Sequence, residues 1–414
     1  MKKKDFKGFP FVEGGVCAAK GFKANGIHCG IKVGGNPDKN DLAMIYADKP
    51  CAAAAMYTTN KVQGAPIAVT KRHIADGYAQ AVIVNSVNAN TCNADGEEKA
   101  EAMCEATALA LGLKPEDVIV ASTGVIGQIL PLEPIANGIP ALAAGLSENG
   151  NTAAVNAIMT TDTVPKEIAV EFTVGGKTCR LGGMLKGSGM IHPNMATTLT
   201  FLTTDCDIDR ALLQDALREV VSLTLNRVSV DGDTSTNDMV CILANGNAEN
   251  PRISKENEDY GTFRDALYTV LMNLARMMAR DGEGATKLIE CLCDGAPDDR
   301  TAEIVAKSVI TSSLFKSAIF GEDANWGRIL CAIGYAPVEF DIHQVYVTLG
   351  SDKGVILVCE DGAGVEFSEE EAKEILSEEE IRVHVTIGKG EGIAVAWGCD
   401  LTYDYVKING GYRS

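Results

Sequence analysis

Apolar positions along this chain follow two periods in turn. Continuous or every-second-residue apolar runs predict strands over 79–84, 117–122, 168–174, 179–184, 240–244, 338–348, 355–359, 383–387 and 393–397. Apolar spacings of three and four residues predict helices over 95–113, 132–146, 151–159, 207–227, 262–280, 301–312, 326–333 and 369–376. Asp207 or Asp209 is placed to cap the fourth of these helices, and the acids after Ser368 suit the first turn of the last. Interleaving of the two periods is the pattern of an α/β or α+β architecture. A run of threonines from Thr197 to Asp205 reads as a further strand.

Length then bounds the organisation. With 414 residues the chain exceeds one typical domain of about 100–200 residues. The acidic, proline-containing stretch 294–300 is the best candidate junction, which divides the chain into a larger unit, 1–293, and a smaller one, 294–414. No internal repeat or low-complexity linker interrupts it.

Charge and cysteine content exclude several classes of function. A net charge of −19 opposes broad binding to nucleic acid or to anionic membranes, since both select basic surfaces. No apolar run approaches the roughly 18 residues of a membrane span, and the basic start, Met1 to Asp5, is not succeeded by the apolar stretch of a secretory signal. The protein is therefore expected in the cytoplasm. Thirteen cysteines are scattered, with no CxxC, and the five histidines show no ligand spacing, so no metal site is expected and the thiols read as free.

The chemistry concentrates in one glycine-dense segment, Gly182 to Leu199, which leads through Pro193-Asn194 to Thr197 at the start of the threonine-rich strand. If the peptide bond before Thr197 is cut, that residue carries both a hydroxyl nucleophile and a free α-amine able to serve as its base. With an unperturbed pKa of about 7.7–8.0, such an amine accepts a proton near neutral pH. The same residues also describe a plain hairpin loop entering a strand. The Gly388 to Gly392 segment lies between two predicted strands and reads as a hairpin, and neither stretch has phosphate-loop spacing.

The sequence from Lys186 to Leu199, KGSGMIHPNMATTL, resembles the processing segment of the glutamate N-acetyltransferase (ornithine acetyltransferase) family of arginine biosynthesis. Collinear segments extend the resemblance over nearly the whole chain: GIHCGIK (26–32), NDLAMIYAD (40–48), NSVNAN (85–90), STGVIG (122–127), TTDT (160–163), DGDTSTND (231–238), DGEGATK (281–287), EDANWGRI (322–329) and VKINGGYRS (406–414). The resemblance implies self-cleavage between Ala196 and Thr197, with Thr197 as the acyl carrier. It implies an α/β/β/α layered core similar in layering to N-terminal nucleophile hydrolases, plus a smaller C-terminal α/β part. N-acetylornithine is the implied donor and glutamate the implied acceptor, in a double displacement that needs no metal or bound cofactor. Acetyl-CoA as a further donor is left open. The two cleaved chains are expected to stay associated and to assemble into homo-oligomers.

By motif position, Thr123 and Gly124 match the family's oxyanion hole, although on residues alone Ser-Thr-Gly is only a turn. Thr160, Lys186, Thr197, Glu283, Asn409 and Ser414 match its substrate contacts. Lys186 is suited to a carboxylate as a point charge and Glu283 to an ammonium, while the ordinary reading of a lone Lys or Glu is a surface charge. Asn409 and Ser414 require the tail to fold back into the site. The chain departs from the pattern at Val87 and at Cys92-Asn93, where glycine and a Thr-Gly step are expected, at His192, and at Ser414, which keeps a hydroxyl in place of threonine. Two rivals remain: an N-terminal-threonine amidohydrolase or aminopeptidase that passes the acyl group to water, and an uncleaved amino-acid-binding protein.

Overall fold

A computed structural model describes residues 1–32, 34–192 and 198–411. Two sheets organise them. The nine-stranded sheet runs, edge to edge, through Phe11–Val12, Lys166–Val174, Lys177–Lys186, Leu199–Thr204, Met239–Ala244, Leu42–Tyr57, Tyr78–Asn85 and Val118–Ser122, with Phe22–Ile27 pairing alongside Leu42–Tyr57. The last strand of this path, Val118–Ser122, is parallel to its neighbour, as is Leu199–Thr204 to Met239–Ala244.

The long strand Leu42–Tyr57 joins two layers. Its register against Tyr78–Asn85 shifts between Tyr46 and Cys51, around the exposed Asp48-Lys49-Pro50, and such irregularities bend a strand. Side chains sort accordingly. Ala43, Ile45, Val82 and Val84 face one apolar core that Phe201, Met239, Cys241 and Leu243 enter from the other layer. On the outer side of the first layer, Leu42, Met44, Ala81 and Ile83 pack with Met103, Cys104, Ile135 and Ile139 from the helices Gly96–Leu111 and Leu132–Ala144. On the outer side of the second, Ile168, Leu202, Val240 and Ile242 pack with the helices Arg210–Leu223 and Glu258–Arg280. Strict alternation along each strand thus produces the α/β/β/α layering that the resemblance implied.

The seven-stranded sheet, from Ala363–Gly364 through Gly354–Glu360, Tyr346–Ser351, Glu380–Thr386, Leu288–Ala296 and Gly392–Cys399 to Val228–Ser229, has its own core with the helices Asp299–Thr311, Ser313–Phe320 and Trp326–Gly334. The expected junction at 293/294 falls inside the strand Leu288–Ala296, which belongs to this sheet along its whole length, and Val228–Ser229 joins the sheet from the other side of that position. Residues 338–345, expected as strand, instead hold a short 3-10 turn at Ile342–Gln344, capped by Asp341 accepting from the His343 N–H. Asp209, rather than Asp207, caps the helix Arg210–Leu223, and Ser368 caps Glu369–Leu376.

Candidate active site

Parallel strands ending side by side build the first wall. Beyond Asn85 and Ser122 the two chain segments stay paired: the Thr123 N–H donates to the Asn85 carbonyl at 3.0 Å and the Val125 N–H to that of Val87 at 3.1 Å. Gly124, between them, has φ +127, and a Cβ there would run into the Val87 carbonyl and lie 2.7 Å from the Asn88 nitrogen. No other residue fits that turn. The Gly124 N–H and the Thr123 hydroxyl have no acceptor among the described residues. Two adjacent donors left unused at a sharp turn are what a developing oxyanion requires.

Val87 does not adopt a positive φ. The left-handed positions of this loop are Asn90 (φ 50) and Cys92 (φ 62), so the departure at 92–93 places the conformational cost on a cysteine while valine at 87 carries none. Asn237, from the 231–238 motif, ties the loop down. Its side chain donates to the Ala89 and Ser122 carbonyls at 2.6 and 3.0 Å and accepts from the Thr91 and Thr236 hydroxyls at 2.6 Å each.

The opposite wall is the loop 160–163. Gly124, Thr160, Thr161, Ser86, Val87, His28 and Lys39 line one cavity of about 220 Å³. Lys39 reaches it by donating to the Thr160 carbonyl at 2.8 Å, and burial lowers its ammonium pKa. The Ser86 hydroxyl has no hydrogen-bond partner among the described residues. Asp162, fully buried, accepts from the Thr160 N–H at 3.0 Å and the Gly187 N–H at 2.8 Å. Burial alone would raise its pKa, but the Lys166 and Lys186 cations outweigh burial and hold it at about 2.

A chain of hydrogen bonds leads from this wall along the glycine-rich segment. Thr161 and Ser188 share a hydroxyl hydrogen bond of 2.7 Å, and the Ser188 carbonyl accepts from the Glu283 N–H at 2.8 Å. Gly189 lies flat under Glu283, where a Cβ would collide with the carboxylate. Asn409, on the C-terminal helix Tyr403–Gly410, donates to Glu283 Oε2 at 2.7 Å. Glu283 and Asn409, expected in one site, therefore touch, and Thr160 reaches them through Thr161 and Ser188. Lys186 is the last residue of its strand, and its carbonyl accepts from the Thr198 hydroxyl.

Ala196, Thr197 and Ser414 lie outside the described residues. The described residues on either side of 193–197 are held by specific hydrogen bonds. The Thr198 carbonyl accepts from the Met239 N–H at 2.9 Å, which fixes the strand that Thr197 precedes. Asp238, next to Met239, is completely buried with Oδ2 unpartnered among the described residues, and burial holds its carboxyl well above the usual range against the opposing effects of Ser235, Lys186 and Thr58. Upstream, Asp231 accepts from the N–H groups of Met190 and Ile191 at 2.7 and 2.8 Å. His192 meets Ser229 at 3.1 Å, and burial with the Lys307 cation lowers its pKa, which favours the neutral ring. Asp162, Asp231, Asn237 and Asp238 all sit in segments that the collinear match marked, yet nothing in their spacing announced these contacts. Among the described residues no group of three or more His, Cys, Asp or Glu converges as for a metal ion, and no helix is long and apolar enough to cross a membrane.

Comparison with known proteins places this geometry in context. The ArgJ family profile matches residues 23–414. The arginine biosynthesis bifunctional protein ArgJ 1 of Clostridium acetobutylicum is 50% identical over 394 residues, spanning 95% of this chain and 96% of its own. Among solved structures, the ArgJ of Bacillus halodurans is 47% identical with a TM-score of 0.48, covering 51% of this chain and 97% of that one. The Mycobacterium tuberculosis ornithine acetyltransferase complexed with ornithine is 36% identical with a TM-score of 0.42, covering 45% of this chain and 100% of that one. Family profile and near-full-length identity agree: the chain belongs to the ArgJ family, the enzymes of arginine biosynthesis.

Proposed function

We propose that this protein cleaves itself between Ala196 and Thr197 and then carries acetyl on Thr197 from N-acetylornithine to glutamate. The observation that carries the reading is that Gly124, whose N–H and whose neighbour Thr123's hydroxyl have no acceptor among the described residues, lines one cavity with Thr160 and Thr161, and that Thr161 leads by hydrogen bonds through Ser188 to the Glu283–Asn409 pair. In self-cleavage the Thr197 hydroxyl attacks the Ala196 carbonyl, the amide nitrogen leaves as the new α-amine, and water opens the ester. In transfer the α-amine takes the hydroxyl proton as the oxygen attacks the acetyl carbonyl. The oxyanion is held at Thr123 and Gly124, and the proton passes to the departing ornithine amine. The amine of glutamate then attacks the acetyl ester, the acetyl C–O bond to Thr197 breaks, the proton lost by the amine passes through the Thr197 α-amine to the threonine oxygen, and N-acetylglutamate leaves. Glu283 pairs with the ornithine ammonium, Lys186 with a carboxylate, and Asn409 with Ser414 holds the α-carboxylate end.

Acetyl-CoA enters as a second donor to the same threonine, a reading supported by the bifunctional name of the Clostridium relative. The two chains remain one unit, and these units assemble further; the open face of the second sheet, where Val355, Leu357 and Ile393 are exposed, supports such assembly. We place the activity in the cytoplasm, with thirteen free thiols as support. One experiment tests the centre of this reading. Purified wild-type protein is expected to show two chains by denaturing mass analysis and glutamate-dependent release of ornithine, and Thr197→Ala to show one chain and no exchange. Free acetate produced regardless of glutamate identifies a hydrolase instead.

A further inference from the structure

The groups assigned to substrate hang on three segments that share no helix or strand. Loop 160–163 carries Thr160, the strand Lys177–Lys186 ends at Lys186 with Gly187 after it, and the helix Glu258–Arg280 runs on through Asp281 to Glu283. One buried ion cluster touches all three. Asp162 accepts from the N–H groups of Thr160 and Gly187. Asp281 accepts from the N–H of Thr163 at 3.1 Å and from its hydroxyl. Lys166, the first residue of the strand Lys166–Val174, lies between the two acids, its ammonium 2.6 Å from Asp162 and 2.5 Å from Asp281. Its side chain is 0% exposed, and those of its partners are 0% and 5%.

Burying three charges is expensive, and apolar residues of similar volume often fill such a site with equal or better stability. Stability alone therefore does not account for the cluster. What the charges supply is a single frame: each acid has its remaining oxygens on backbone N–H groups or hydroxyls of a substrate-bearing segment, and the ammonium joins the acids. We propose that Lys166 is a positioning residue of the active site, which through Asp162 and Asp281 holds Thr160, Lys186 and Glu283 in register with one another. The inference rests on the acetyl-transfer reading for its catalytic consequence, and on the geometry alone for its mechanical one. Without the Lys166 cation, two buried carboxylates face each other and separate, and the three segments lose their common anchor.

Asp281→Asn keeps shape and one acceptor oxygen while removing the charge, and Lys166→Met and Lys166→Arg bracket the cation. Glu290→Gln is the control, since Glu290, on the second sheet, is the centre of another, partly buried ion cluster, with Arg276 at 2.6 Å and Lys4 at 2.5 Å. Steady-state kinetics and amide hydrogen exchange are measured on each. Asp281→Asn is expected to raise KM for both N-acetylornithine and glutamate tenfold or more with kcat within threefold. Exchange in segments 160–163, 187–189 and 281–283 is expected to rise together. Lys166→Arg is expected to be milder than Lys166→Met, and Glu290→Gln to lower the melting temperature without moving KM. The proposal is overturned if Asp281→Asn keeps both KM values within twofold, if exchange rises at 281–283 alone, or if Glu290→Gln produces the same KM increase. Wild-type protein that catalyses no acetyl exchange sinks the functional reading, and the hydrogen-exchange pattern then decides the cluster by itself.

Discussion

Gly124 leaves no space for a side chain, because its left-handed turn sits against the Val87 carbonyl. Gly124→Ala is expected to lower kcat/KM by about 100-fold or more, the loss of one oxyanion donor being worth about 2.7–4 kcal/mol; a circular-dichroism melt separates this from unfolding. Two buried carboxyls give opposite pH signatures. Asp162 is depressed to about 2 from 3.8, so its contribution, roughly 2 kcal/mol, is complete above pH 4 and fades as pH falls toward 2. The melting-temperature deficit of Asp162→Asn is thus expected to shrink on acidification from pH 5 to 2.5. Asp238 is raised, so the fold is favoured below the usual carboxyl pKa and loses that advantage as pH rises. Asp238→Asn is expected to gain on the wild type in melting temperature from pH 4 upward, and a constant difference across that range rejects the assignment.

Among elements, the short C-terminal helix Tyr403–Gly410 differs from the other described α-helices in having no buried residue. It is held mainly by polar contacts, the Thr402 hydroxyl donating to the Gly284 carbonyl at 2.7 Å and Asn409 meeting Glu283, with one edge-on ring contact between Tyr403 and Phe320. Gly284, at φ +72, lies so close that a Cβ would be 2.6 Å from the Tyr405 nitrogen. An element without apolar burial opens at low cost. Deletion of residues 403–414 is therefore expected to leave the melting temperature within a few degrees but to raise KM for both substrates tenfold or more, measured by acetyl exchange. Unchanged KM removes Asn409 from the site. This helix has weak periodicity, which is why the sequence showed it only as a returning tail. The strand Leu42–Tyr57 was unreadable for a related reason: its middle, Asp48-Lys49-Pro50, is polar and exposed at the bend, so neither half extends the pattern of the other.

At the scale of the molecule, the proposed cleavage falls in a connection inside the nine-stranded sheet. The strand Leu199–Thr204 pairs with Lys177–Lys186 on one side and Met239–Ala244 on the other, and both of its faces are buried. Chains 1–196 and 197–414 would share two apolar cores. They are expected to co-elute in native gel filtration and to separate only in denaturant, and separation without denaturant contradicts a shared core.

The sequence by itself determined the alternation of strands and helices and, through motif order, the family and with it the expected layering, because apolar period and motif order are local properties written in consecutive residues. Thr123, Gly124, Thr160, Lys186, Glu283 and Asn409 were named as candidates by motif position alone. Only the tertiary structure decided which of them touch and what holds them. Lys166 and Asp281 are 115 residues apart, and Asn237 binds the Ala89 carbonyl across 148. Contacts of that kind depend on how sheets bend and strands register, and no window along the chain contains them.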